Sequence, residues 1–142
     1  MATEHLIHQL NAFVPSGVET ADVEHLYSIT NALEAAAAVQ TAIPAMLRVF
    51  ERNPDVDLGS QGPLVHSIET CGIMGFLDDL LASLKHQPVI MTIWMAERCL
   101  RSQLQGHQRN AIIEVLRDVA KHPTASDEVK SNASEAVDEY AV

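Results

Sequence analysis

Three neighbouring residues could in principle perform nucleophilic or acid–base chemistry: His66, Ser67 and Glu69. A serine hydroxyl becomes a nucleophile when a histidine takes its proton and a carboxylate orients that histidine. His66 and Glu69 share a helix face at this spacing, but adjacent residues point in different directions, so Ser67 cannot easily reach the His66 ring. The spacing favours a hydrogen-bonded histidine on the rim of a groove, and the chain is not expected to be an enzyme.

Residues that hold metals or cofactors elsewhere lack the required spacing in this chain. Cys71 and Cys99 form no CxxC pair, so two buried, reduced thiols are expected. His5 and His8 could share a helix face, but Glu4 does not complete a known ligand motif, and surface histidines are expected. The motifs HExxH, GxSxG and GxGxxG and a phosphate-binding glycine loop are absent from the sequence. No catalytic residue, metal or cofactor is therefore predicted.

Acidic residues outnumber basic ones and gather in clusters. The chain has 19 Asp and Glu against nine Lys and Arg, which gives a formal net charge of −10. Because this charge repels nucleic acid and anionic lipid, neither nucleic acid nor a membrane is an expected partner. A protein with a basic surface is expected, although a solvated acidic surface would have the same composition. The predicted partner-binding residues are Glu51, Asp55, Asp57, His66, Glu69, Asp78 and Asp79.

The elements that must position these residues are predicted to be helical throughout. Apolar residues recur at helical spacing, aromatic residues make up only 4% of the chain, and no strand pattern competes. Helices are expected to begin near residues 3, 20, 43, 63, 73, 89, 107 and 124, and the alanine run 35–38 is placed inside the second. Short turns between them predict an all-α fold, with antiparallel helical hairpins stacked as an irregular HEAT-like solenoid or a compact bundle. Residues 1–142 fit a single helical domain.

Proline and capping residues mark the predicted helix starts. Pro63 and Pro88 are interpreted as structural residues that open helices, because the missing N–H of proline costs little in a first turn. Pro44 is expected in the first turn of its helix for the same reason. Thr124 followed by Asp127 resembles a capping box and predicts the start of the last helix.

The helix from residue 89 to about residue 103 is apolar on nearly every side in its first two turns, which predicts a buried, central element. Trp94, the single tryptophan, is expected in the core. Arg98 follows one turn later and is expected to stack on the Trp94 ring or to pair with an acidic side chain. Both are interpreted as structural residues.

The chain shows no basic leader followed by an apolar segment, and no run approaches the roughly 18 apolar residues of a membrane span. A cytoplasmic protein is therefore expected. The pattern is compatible with a monomer or a dimer.

Three blocks carry a resemblance to a known family: GPLVHSIE at 62–69, FLDDLLASLKHQP at 76–88 and TIWMAER at 92–98. They resemble small bacterial immunity proteins of polymorphic and contact-dependent toxin systems. In those proteins a Gly-Pro-Leu-Val-His block is followed by a helix with an aromatic residue and then by a Thr-x-Trp-Met-x-x-Arg block. Relatives often have Leu-Asn where this chain has Ala96 and Glu97.

The resemblance implies a cytosolic, stoichiometric inhibitor that blocks the active site or substrate surface of a cognate toxin. Many such toxins are nucleases with basic surfaces, so an acidic inhibitor can imitate nucleic acid and associate quickly. The alternative is a helical adaptor or scaffold that holds another protein or a peptide in a groove. An enzyme with an unrecognised site is a distant third reading.

Overall fold

The computed structural model describes residues 2–59, 62–102, 104 and 106–141. These residues form eight α-helices and no strand, which confirms the all-α prediction. Helix packing divides the chain into two compact units, and the division falls after Leu77. A single domain remains a prediction. The helices are α1 (Ala2–Ala12), α2 (Glu19–Ala35), α3 (Val39–Arg52), α4 (Gly62–Glu69), α5 (Ile73–His86), α6 (Ile90–Arg101), α7 (His107–Val119) and α8 (Asp127–Tyr140).

In the first unit, which ends at Leu77, α2 packs on α4, and α1 packs on α2 and α3. Apolar residues three and four apart give each helix one buried stripe. Each fully buried aliphatic side chain contributes roughly 1.5–3 kcal/mol relative to an exposed one. The largest fully buried side chains of this unit are Leu10, Leu26, Ile29, Leu33, Ile43, Met46, Leu47, Leu64 and Ile68.

In the second unit, which begins at Asp78, α8 packs against both α6 and α7. Ala133 and Ala136 are the residues of α8 with no exposed surface. Such small side chains let neighbouring helix backbones approach closely. Ile112 and Leu116 form the buried stripe of α7 and are likewise fully buried.

The alanine run that was predicted to lie inside the second helix instead forms its end. Helix α2 stops at Ala35, and Ala37 has the left-handed φ of 53°. The N–H of Ala38 donates to the carbonyl of Leu33 at 2.9 Å, and the N–H of Ala37 donates to that of Glu34 at 3.1 Å. These two bonds are the Schellman motif, in which glycine usually occupies the position of Ala37. Alanine's high helix propensity concealed this turn in the sequence.

The predicted starts of α3 and α8 are both wrong. Because the Schellman turn ends just before Val39, α3 begins there, and Pro44 lies in the second turn rather than the first. The cap of α8 is Ser126, whose Oγ accepts from the N–H of Val129 at 3.2 Å. Thr124 lies ahead of the helix, so the expected capping box does not form.

Helix α6 begins one residue later than predicted and is described to Arg101; the expected end at Gln103 lies outside the described residues. Pro88 precedes the cap residue Val89, whose N–H donates to Thr92 Oγ1 at 3.2 Å. Trp94 is half-buried rather than in the core. The Arg98 guanidinium lies over its ring, 4.9 Å from the centroid, and such a contact needs one ring face outside the core.

Candidate protein-binding surface

The residues with catalytic potential lie on α4 but do not form a catalytic arrangement. Pro63, the second residue of this helix, is buried. Ser67 is 1% exposed, and its Oγ has no hydrogen-bond partner among the described residues. His66 is exposed and Glu69 is half-buried. Since Oγ of Ser67 receives no contact from the imidazole, the described residues provide no activated nucleophile at this position.

The structure also shows the arrangement of possible metal ligands, the burial of the two cysteines and the hydropathy of the helices. Among the described residues, no group of three or more His, Cys, Asp or Glu side chains is arranged to hold a metal. Cys71 is half-buried, Cys99 is buried, and the two are not joined in a disulfide. No helix in the described part of the chain combines the length and hydropathy needed to cross a membrane.

The loop between α3 and α4 holds two of the predicted partner-binding carboxylates at its tip. Asp55, Val56 and Asp57 are all exposed, whereas Leu58 is buried and anchors the loop to the first unit. The N–H of Gly59 donates to Oδ1 of Asp57 at 2.9 Å. This Asx turn and the buried leucine hold the backbone from Asp57 to Gly59, and both carboxylates are presented to solvent.

Three other predicted partner-binding residues, Glu51, Asp78 and Asp79, differ in their exposure to solvent. Glu51 is buried on α3, with 9% of its surface exposed, so it does not belong to the same exposed group as Asp55 and Asp57. In the second unit, Asp78 is exposed and Asp79 is half-buried on α5. A partner-binding role for these three residues remains a prediction.

The excess negative charge is concentrated in the first unit. Up to Leu77 the chain has nine Asp and Glu residues but only two cationic side chains, Arg48 and Arg52, and no lysine. Arg52 donates to the carbonyl of Leu10 at 2.9 Å and so closes the end of α1. We define the acidic exterior of the first unit as its exposed carboxylates: Glu4, Glu19, Glu24, Glu34, Asp55 and Asp57. Four of these six, Glu4, Glu19, Glu24 and Glu34, were not among the predicted partner-binding residues. The scarcity of Lys and Arg before residue 78 already indicated the excess of negative charge in this unit.

The α1–α2 loop of the same unit is held by a carboxylate. Oδ1 of Asp22 accepts from the backbone N–H of Ser16 at 2.8 Å, and Oγ of Ser16 accepts from the N–H of Val18 at 3.2 Å. The Ser16 backbone bond holds the pKa of Asp22 below its ordinary value of 3.8, against the opposing effect of burial. The ionised carboxylate therefore stabilises the loop.

A shallow cavity of about 180 Å³ lies in the second unit, below the size usual for small-molecule sites. Its charged groups are already engaged. Arg109 donates to the carbonyls of Leu100 and Tyr140, and Arg117 pairs with Glu114 at 2.7 Å. The cavity thus lies between α7 and the C-terminal end of α8. It is lined by Arg109, Asn110, Ile113, Glu114, Arg117, Tyr140 and Ala141.

Comparison of the chain with protein-family models, with curated proteins and with solved structures gives no match. We therefore infer function from the charge and geometry of the chain itself.

Proposed function

We propose that the protein is an immunity protein that binds a cognate bacterial toxin domain in the cytoplasm and blocks its active site or substrate surface. The observation that carries this proposal is the acidic exterior of the first unit, where six exposed carboxylates are accompanied by two arginines and no lysine. The resemblance of the blocks within residues 62–98 to immunity proteins supports the same conclusion.

The physical argument is electrostatic. A surface of one sign attracts a partner of the opposite sign over a Debye length and raises the association rate far above that of a neutral pair. Toxins that cleave nucleic acid carry basic surfaces to bind phosphate, so an acidic protein competes for that surface. The Asx turn at Asp57 holds its part of the loop before binding, which favours affinity because less conformational entropy is lost on association.

The test combines capture with a growth assay. The tagged chain is passed over native lysate of its source cells at low salt, and bound proteins are identified by mass spectrometry. We expect one basic protein at a ratio near one to one, released by high salt. That protein should arrest growth when expressed alone in a host strain, and co-expression of this chain should restore growth.

Two outcomes would contradict the proposal. A captured protein without toxicity, bound with little dependence on salt, would instead support an adaptor. Failure of co-expression to restore growth would exclude inhibition even if the two proteins bind.

A further inference from the structure

We propose that the α1–α2 loop is the apolar anchor of this interface, with Val14 and Val18 entering an apolar pocket on the partner that is rimmed by Lys or Arg. The inference rests on the proposed function, because it names the contact that holds the toxin after electrostatic encounter. It adds residues that neither the charge clusters nor the family resemblance identified.

Both valines of the loop are strongly exposed to solvent. Val14 is 79% exposed and Val18 is 59% exposed, although a valine gains free energy on leaving water. A single exposed apolar residue is common on protein surfaces. Here two exposed valines flank one short turn, in which Pro15 is half-buried and Ser16 and Gly17 are exposed, so two apolar side chains lie close in sequence at the surface.

Contacts at both ends hold the α1–α2 loop in place. Phe13, at the base of the loop, is 3% exposed and packs against the His25 ring with centroids 5.6 Å apart. On the other side, Asp22 holds Ser16, and Ser16 holds Val18. The two valines are therefore presented by a loop whose ends are fixed. An anchor that is ordered before binding loses little conformational entropy on association.

The charge beside the two valines favours a basic partner protein. Glu19 directly follows Val18 in the sequence, and Glu19 and Glu24 are both exposed. A pocket with a basic rim can bury the valines and pair with these carboxylates at its edge. A second copy of this chain would bring the same excess of negative charge, and an anionic lipid surface would be repelled as well.

The test compares two loop variants with a matched control. Val14→Ser and Val18→Ser remove the exposed apolar groups, and serine at position 18 is a favourable helix cap, so the fold is retained. Met74→Ser is the control, since Met74 is 76% exposed in the same unit but lies outside the loop. Affinity for the captured, purified partner is measured by titration calorimetry, with circular dichroism to verify folding.

We expect the double variant Val14→Ser/Val18→Ser to bind at least about tenfold more weakly, equivalent to about 1.4 kcal/mol, with a less negative heat-capacity change. Met74→Ser should bind as the wild type does. Growth protection by the wild-type chain supports the proposed function independently of this result.

The outcomes separate the two proposals. If the wild-type chain protects cells but the double variant binds the partner with unchanged affinity, the anchor inference is wrong and the proposed function stands. If no toxic partner is found, both are overturned. If the wild-type chain self-associates in sedimentation experiments and the double variant does not, the loop contacts a second copy, and the assignment of a basic partner is wrong.

Discussion

The two units differ in their balance of charge. The first has nine carboxylates and two arginines, and most of its carboxylates are exposed. The second has ten carboxylates and seven cationic side chains, and its arginines make contacts within the unit. Four of them show this directly: Arg98 lies over Trp94, Arg101 donates to the Tyr140 hydroxyl, Arg109 donates to two carbonyls, and Arg117 pairs with Glu114.

Most of the net charge of −10 belongs to the first unit, which has seven more carboxylates than cationic side chains, against three more in the second. In the second unit, Arg109 closes the ends of α6 and α8, where the carbonyl groups carry partial negative charge. In the first unit, Arg52 does this at the end of α1, and the exposed charged side chains are six carboxylates and the two arginines. Charge used within a unit stabilises the fold, whereas exposed charge of one sign is available to a partner.

The largest effect on stability is expected where a cation closes helix ends. Replacing Arg109 by Met removes hydrogen bonds of 2.6 Å to the carbonyl of Tyr140 and 3.3 Å to that of Leu100. We expect a loss of about 2 kcal/mol, because bonds from a charged donor to half-buried acceptors are among the stronger ones. Urea unfolding measures the change.

The control for this variant is Arg117→Met. Arg117 forms an exposed pair with Glu114, and its loss should cost less than about 0.5 kcal/mol. Equal losses for Arg109→Met and Arg117→Met would show that closing the helix ends is not what stabilises the second unit.

A smaller effect of opposite sign is expected at the buried hydroxyl of the first unit. Ser67→Ala removes an Oγ that has no partner among the described residues, so the variant should be more stable by about 1 kcal/mol. Ser83 in the second unit is also buried but does have a partner. Ser83→Ala should therefore be destabilising, and thermal unfolding of both variants provides the comparison. A gain for both would mean that hydrogen bonding does not distinguish the two sites.

The smallest effects are expected in the pH dependence of stability, with opposite sign in the two units. Burial raises the pKa of Glu97 above 4.5, partly offset by Arg101 at 3.8 Å, so this group favours folding at low pH and loses that contribution as pH rises through its folded-state pKa. The pKa of Asp22 is lowered, so its contribution is present above 3.8 and is lost as pH falls through the lower folded-state value. Urea midpoints across pH, compared with wild type, measure both effects.

We expect Glu97→Gln to gain stability relative to wild type as pH rises to neutral. Asp22→Asn should lose stability near neutral pH and approach the wild type in acid. Parallel pH profiles for the two variants would contradict this assignment.

Helical periodicity was sufficient to predict the all-α fold, because each helix buries one regular apolar stripe. Helix α3 ends at Arg52, and the side chain of the following residue, Asn53, donates to the carbonyl of Val49. The turn at Ala37 was missed because its two hydrogen bonds overcome the helix propensity of alanine. Sequence periodicity carries no information on such a cap.

The candidate surface was only partly predictable. Asp55 and Asp57 were identified from their clustering, and both are exposed. Glu51 belonged to the same cluster but is buried, because its position on α3 faces inward whereas the loop does not. The α1–α2 loop, in which Val14 is exposed, contains a bond from the Ser16 N–H to Asp22, six residues away, which local patterns do not specify.

The central claim is that the acidic exterior of the first unit binds a basic partner. Its most direct test is the association rate constant with the captured protein, measured by stopped flow at low and high salt. Asp55→Lys with Asp57→Lys should slow association about tenfold at low salt, and the difference should shrink at high salt. Asp118→Lys with Asp138→Lys changes the same charge at exposed positions of the second unit and should have a much smaller effect. Equal slowing by both pairs would mean that net charge, and not the first unit, directs binding, and would contradict the account.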